Sequence, residues 1–320
     1  MDNGFPEKIR VGISHCLLGA PLRHDGGHKR SPLCTELLAQ RFEFVPLCPE
    51  AGIGMGTPRE PIHLVGRPGE DAVRAVGNRS PDLDVTEQLE THGREKAAEL
   101  GELCGYIFMQ RSPSCGLANI PLYQRNGTPL GRSTRGIYAR EFTARHPLLP
   151  VEEESRLRDP QLYENFVTRV YAWQRWRALE ADGMTPAALR DFHACHKYLL
   201  MARKPAAYRY LQRLLALAPQ RSIDTVARDY IRVFMATLGR VASRHGHAQV
   251  LQQLAGPLEK RLNAPEHREL IQAISAYRRG RLPLSLPLRL LHRQLREHPD
   301  AWLLRQVYLQ PYPPELRPDR

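Results

Sequence analysis

The sequence predicts an α/β first half built on a Rossmann-like parallel sheet, followed by an all-α second half. Three observations carry this. Short apolar runs alternate with helical patterns over the first 150 residues. Three of those runs end at turns marked by Gly or Pro. Beyond residue 150 the pattern becomes helical, with no strand pattern to interrupt it. A chain of 320 residues with 42% hydrophobic content suffices for two domains with real cores, placed at 1–150 and 151–320.

Taken in order, Ile9 to Ser14 reads as a strand and Ser31 to Arg41 as a helix. Phe42 to Leu47 alternates and gives a second strand. Gly52 to Gly69 is rich in Gly and Pro, carries Thr57-Pro58-Arg59-Glu60 and reads as loop. Val85 to Leu100 is a charged amphipathic helix, Cys104 to Met109 a third strand, and Arg135 to His146 one more helix. Pro147 to Glu154 is expected to link the halves.

In the second half, Asp159-Pro160 caps a helix running to Glu180, and Thr185-Pro186 starts one passing through His193, His196 and Leu200. Further helices are expected at Ala206–Leu217, Ser222–Ser243, His247–Ala255, Pro265–Arg279 and Leu286–Glu297. Gly256-Pro257 ends the third of these, and the tail from Tyr308 to Pro314 is expected to be extended.

The chemistry lies where the strands end. Cys16 sits in Ser14-His15-Cys16-Leu17-Leu18-Gly19, Cys48 in Pro46-Leu47-Cys48-Pro49-Glu50, and Cys115 in Ser112-Pro113-Ser114-Cys115-Gly116. In a parallel sheet, the site lies beyond the carboxyl ends of the strands, so the three turns converge on one edge. Three thiolates gathered there make a metal site with one position open, which a catalytic centre needs and a structural one lacks. Such sulfur ligands favour zinc or an iron–sulfur cluster. Cys34, Cys104 and Cys195 read as buried small hydrophobes. No Cys-x-x-Cys pair exists, so a zinc ribbon or thioredoxin-type site is not indicated.

The N-terminus is polar, and no apolar stretch approaches a membrane span, so a cytoplasmic protein with reduced cysteines and no membrane contact is expected. The net charge of +12 is unevenly placed. Residues 1–150 carry 18 Lys+Arg against 17 Asp+Glu, and residues 151–320 carry 28 against 17. A basic domain beside a neutral one suits a polyanion partner, with a solvated arginine-rich surface as the other reading.

The motifs together resemble a known family. Ser14-x-Cys16-Leu17-x-Gly19, the Arg23-His24-Asp25-Gly26 turn, Cys48-Pro49-Glu50 and Ser112-Pro113-Ser114-Cys115-Gly116 resemble the TudS-type thiouracil desulfidases, over roughly residues 8–150. The second half resembles YbgA-like helical domains through Pro150-Val151-Glu152-Glu153-Glu154, Asn165-Phe166, Arg169-Val170 and the stretch from Phe192 to Met201. The pairing resembles the RudS-type tRNA 4-thiouridine desulfidases. One departure is visible: His24 stands where the family usually has Tyr, which puts any role of that hydroxyl in doubt.

The resemblance implies a [4Fe-4S] cluster held by Cys16, Cys48 and Cys115, with one iron open to a soft thiocarbonyl sulfur, water attacking C4 and sulfide leaving without net redox change. It implies Glu50 as general base, or else a strand-end carboxylate capping a turn. One of Ser112 and Ser114 is expected to relay a proton, with Ser112 preferred, and the bland reading is a Ser-Pro turn. Asp25 either orients water or substrate, or forms an Asx turn. Arg59 is a candidate substrate or phosphate contact, or an ordinary loop arginine.

His193 and His196 share a helix face with Lys197, Arg203 and Lys204 nearby, reading as a polar patch facing RNA or the other domain. Trp173 and Trp176 read as core residues. The partner expected is tRNA, held by the basic half, with no obligate protein partner evident. The competing readings are a desulfidase of free thiouracil or thiolated nucleosides, and a non-catalytic metal-stabilised RNA-binding protein.

Overall fold

The structure is a computed structural model that describes residues 5–67, 72–80, 82–217, 220–259 and 261–317. The first sheet is fully parallel, in the order β2-β1-β5-β8: β1 is Ile9–Ser14, β2 Phe42–Leu47, β5 Tyr106–Phe108 and β8 Val151–Glu153. Every residue of β5 is buried, as a strand covered on both faces requires. Its Tyr106 and Phe108 rings stack at 3.9 Å, and Phe142 packs edge-on against both. The helices of this half are α1 (Pro49–Gly52), α2 (Thr86–Glu99) and α3 (Ile137–Arg145).

Several sequence expectations need correction. The Gly/Pro-rich stretch from Gly52 is not all loop. It contains β3 (Ile62–Gly66), while its last two residues, Pro68 and Gly69, lie outside the described residues. With β4 (Val73–Gly77), β6 (Ile120–Tyr123) and β7 (Pro129–Thr134) it forms a second, mixed sheet in the order β4-β3-β6-β7. Ile62, Leu64, Ala75, Ile120 and Leu122 give this sheet one apolar face, packed on Val85, Leu89 and Ile137. Ser31 to Arg41 is helical but irregular: a π-turn over Leu33–Leu37, then a 3-10 turn over Leu38–Gln40.

The expected linker Pro147–Glu154 contains β8. That strand pairs with β5, and its carboxylates work inside the fold. Glu153 Oε1 accepts the Leu117 N–H at 2.8 Å, and Glu154 Oε1 accepts the Ser31 hydroxyl at 2.7 Å. The compact units therefore divide later than residue 150. One runs to Val170 and includes the segment from Pro313, and the other is Tyr171–Tyr312. The boundary falls inside α4 (Pro160–Ala181), whose start is capped by Asp159 Oδ1 accepting from the Gln161 and Leu162 amides.

The second unit is helical, as expected: α5 (Pro186–Cys195), α6 (Lys197–Arg203), α7 (Pro205–Ala216), α8 (Ile223–Leu238), α9 (Arg244–Ala255), α10 (Ala264–Arg278), α11 (Ser285–Glu297) and the short α12 (Ala301–Leu304). Thr185, Ser222, Ser243 and Asn263 cap α5, α8, α9 and α10 through side-chain oxygens. The single helix expected through His193 and Leu200 breaks at His196. There the Cys195 carbonyl accepts the Val307 amide instead of continuing the ladder. The tail is not extended: Leu309 N–H turns back onto Gln306, and Tyr308 and Leu309 are buried.

Candidate active site

The three cysteine turns do converge. Cys16 follows β1 in a 3-10 turn closed by Gly19 at φ +97°, a conformation that favours glycine. Cys48 follows β2 and leads into α1, its carbonyl accepting the Gly52 amide. Cys115 follows β5 in a loop fixed by α3, whose Ile137 and Ala139 amides donate to the Pro113 and Ser114 carbonyls. These turns, with the loop that carries Arg59, line one cavity of about 230 Å³.

Three thiols from three strand ends line this cavity, and an all-sulfur donor set of this kind suits an iron–sulfur cluster. Burial first, and then Cys48 beside it, pushes the Cys16 thiol up to about 11. Burial, then Glu50, raises the Cys115 thiol well above its ordinary range. Both thiols therefore hold their protons until a metal displaces them.

Beside the thiols runs a hydrogen-bonded chain. The Ser112 hydroxyl lies 2.9 Å from Ser114 Oγ, and the Ser114 hydroxyl donates to Glu50 Oε1 at 2.6 Å. Since Ser114 has a single proton and gives it to Glu50, Ser112 is the donor in the first contact. Ser112 Oγ in turn accepts the Cys115 amide at 3.0 Å. Both serines thus belong to one path, which makes the choice between them unnecessary. Ser114 is the one in contact with the carboxylate, and its side chain lies 3.8 Å from Cys115 Sγ.

Arg59 is not a surface loop arginine; it lines the cavity. Its side chain is 5% exposed, and Nε donates to Glu50 Oε2 at 2.8 Å. Its Nη groups donate to the Gly56 and Leu22 carbonyls, both at 2.9 Å. Thr57-Pro58-Arg59 so near a strand-end carboxylate was the available signal. Asp25 stands apart from the group. It is exposed, is not among the cavity-lining residues, and its Oδ1 accepts the Gly27 amide at 3.0 Å, which is the Asx turn. That bond, more than Arg23 nearby, holds its carboxyl below the ordinary range. His24 lines the cavity, as do His15 and Ser14, which the motif reading had not assigned roles.

In the helical unit, His193 and His196 are not a polar patch. Both are buried, packed with Phe192, Tyr208, Tyr230 and Phe234, and burial pushes their titration down to about 4 and about 3. Trp176 is fully buried, as a core residue. Among the described residues, no helix is long and apolar enough to cross a membrane.

The fold and cavity define a thiol-lined α/β enzyme domain joined to a basic helical one, and comparison with known proteins gives the family. Residues 11–154 match the profile of the 2-thiouracil desulfurase family, and residues 197–313 match DUF1722, a family of unknown function. The uncharacterized protein YbbK of Bacillus subtilis (strain 168) is 32% identical over 128 residues, 39% of this chain and 82% of YbbK. The uncharacterized protein YbgA of Escherichia coli (strain K12) is 28% identical over 151 residues, 47% of this chain and 89% of YbgA. A solved structure described as a [4Fe-4S]-dependent thiouracil desulfidase, TudS, has 32% identity, covers 51% of this chain and all of its own, and has a TM-score of 0.35. The chain belongs to the 2-thiouracil desulfurase family, with a YbgA-like domain fused behind it.

Proposed function

We propose that this protein is an iron–sulfur desulfidase that converts 4-thiouridine in tRNA to uridine and sulfide. One observation supports the chemistry above all: three thiols from three strand ends line the same cavity as a part-buried Glu50–Ser114–Ser112 chain. Cys16, Cys48 and Cys115 are the ligands of a [4Fe-4S] cluster. When bound, the cluster supplies an iron without a protein ligand, a Lewis acid soft enough for thiocarbonyl sulfur. The reaction balances as thiocarbonyl plus water giving carbonyl plus hydrogen sulfide, with no electron transferred.

Glu50 takes the proton from the attacking water. Arg59 holds its Oε2, which orients the carboxylate with Oε1 toward Ser114. Ser114 and Ser112 carry a proton along the chain by each passing one on, so the base is restored without bulk solvent entering the site. Burial of Arg59 and Glu50 strengthens these charge-assisted bonds.

The base of a folded RNA reaches this cavity only when flipped out. The positive balance of the second half, 28 Lys+Arg against 17 Asp+Glu, supports RNA as the carrier of that base. Free thiouracil fits the same cavity and is the second reading. The test is anaerobic: cluster-loaded protein is incubated with thiolated tRNA and, separately, with free 4-thiouracil, while the near-ultraviolet thiocarbonyl band is followed. Faster loss on tRNA supports the proposal. Loss on the free base alone would transfer the activity to the second reading.

A further inference from the structure

We infer that the outward face of α7, formed by Arg209, Tyr210 and Arg213, is the surface on which this protein holds RNA, with cations on phosphates and Tyr210 stacked on an unpaired base. The identity of the partner rests on the tRNA reading above. The place of the surface rests on the helix itself.

The inner side of α7 is settled by Ala207, Leu211, Leu214 and Leu215, all buried. Arg209 and Arg213 stand one turn apart on the opposite side, and both are exposed. Like charges at that spacing repel, and the flanking sequence supplies no acidic residue: residues 192–223 contain six Lys or Arg and no Asp or Glu. Three arginines elsewhere in this unit are paired. Arg221 pairs with Asp229 at 3.0 Å, Arg261 with Asp300 at 3.5 Å, and Arg293 with Glu269. Among the described residues, none of these ion pairs includes a residue of α7. A cationic face kept without counter-ions is complementary to a polyanion.

Charge alone would not separate RNA from an anionic membrane, and Tyr210 supplies the distinction. The residue is 47% exposed, beside Arg209 and three residues before Arg213. An aromatic ring within reach of arginines is what single-stranded and loop RNA uses for stacking. A membrane-binding helix would instead show a broad apolar stripe, whereas the large apolar side chain exposed with Tyr210 on α7 and its C-cap is Leu217.

The experiment uses the full chain and fluorescently labelled tRNA carrying 4-thiouridine, with anisotropy read over a range of salt concentrations. Arg209→Ala/Arg213→Ala is expected to weaken binding by at least tenfold and to lower the slope of log affinity against log salt by about 1.5 to 2. Tyr210→Ala is expected to weaken binding about tenfold with the slope unchanged. Arg228→Ala/Arg232→Ala, removing two exposed cations from α8, serves as the control and should change both quantities less. Turnover of free 4-thiouracil should be the same in all. Wild-type binding that α7 variants leave intact would overturn the α7 assignment while sparing the tRNA reading. No binding of tRNA by the wild type would overturn that reading and the assignment with it. Binding to phosphatidylserine vesicles, lost in the α7 variants while tRNA is not bound, would replace RNA by a membrane surface.

Discussion

Replacing Arg59 by Met would test how the Glu50 carboxylate is held. The guanidinium makes one charge-assisted bond to Glu50 and two bonds to backbone carbonyls, from a side chain only 5% exposed, so water does not screen them. The charge-assisted bond is worth about 1.5–3 kcal/mol and each carbonyl bond about 1 kcal/mol. Removing one partner of a buried pair also leaves the other charge uncompensated, which brings the expected cost to about 3–5 kcal/mol. Glu50→Gln/Arg59→Met carries no orphan charge and should cost about 2 kcal/mol less than the two single variants added together. Urea unfolding of iron-free protein, followed by circular dichroism at pH 7.5, gives all four corners of the cycle. A loss below about 1 kcal/mol for Arg59→Met, or additive single and double variants, would show that the ion pair does not hold Glu50.

Other outcomes follow from the same coordinates. Glu50→Gln should keep cluster absorbance and lose about 10²–10⁴-fold in kcat, with Ser114→Ala losing less; full turnover in Glu50→Gln would remove it as the base. Gly136→Ala should damage the site from outside the cavity, because a Cβ there would stand 2.5 Å from the Ser114 carbonyl oxygen and 3.0 Å from the Cys115 nitrogen. Iron content at wild-type level with unchanged stability in that variant would contradict the packing. The helical unit should lose stability on acidification. Burial holds His193, His196 and His247 neutral, with titration pushed down to about 4, 3 and 4, while an unfolded histidine titrates near 6.5. The unfolded chain binds more protons below about pH 6.5, so stability is full above that value and falls toward pH 4, by up to about 1.4 kcal/mol per pH unit for each histidine. A urea midpoint equal at pH 7.5 and pH 5 would refute this.

The convergence of the cysteines was legible because it needed only strand ends. Ile9–Ser14, Phe42–Leu47 and Cys104–Met109 are apolar runs that stop at turns, and parallel pairing brings those turns to one edge. The second sheet was hidden because β3 lies inside a Gly/Pro-rich stretch and β6 spans four residues. β8 was hidden because Val151-Glu152-Glu153 reads as polar, and its carboxylates find partners that sequence distance conceals: Ser31 lies 123 residues from Glu154. The Glu50–Arg59 pair was missed for a similar reason. A loop arginine reads as solvated until the Leu22 and Gly56 carbonyls are seen to enclose it. His193 and His196 misled because their spacing marks a shared helix face but not whether that face is turned to water.

The proposal that Cys16, Cys48 and Cys115 would hold a cluster, with Glu50 as the base, is tested most directly in one variant. Glu50→Gln protein, reconstituted anaerobically and assayed at about four irons per chain, separates binding from turnover. Its cluster spectrum, by absorbance and by electron paramagnetic resonance after reduction, should shift when 4-thiouracil is added and stay unchanged with uracil, while no sulfide is released. An unchanged spectrum with saturating 4-thiouracil, or a cluster that forms equally well in Cys48→Ala, would contradict the account.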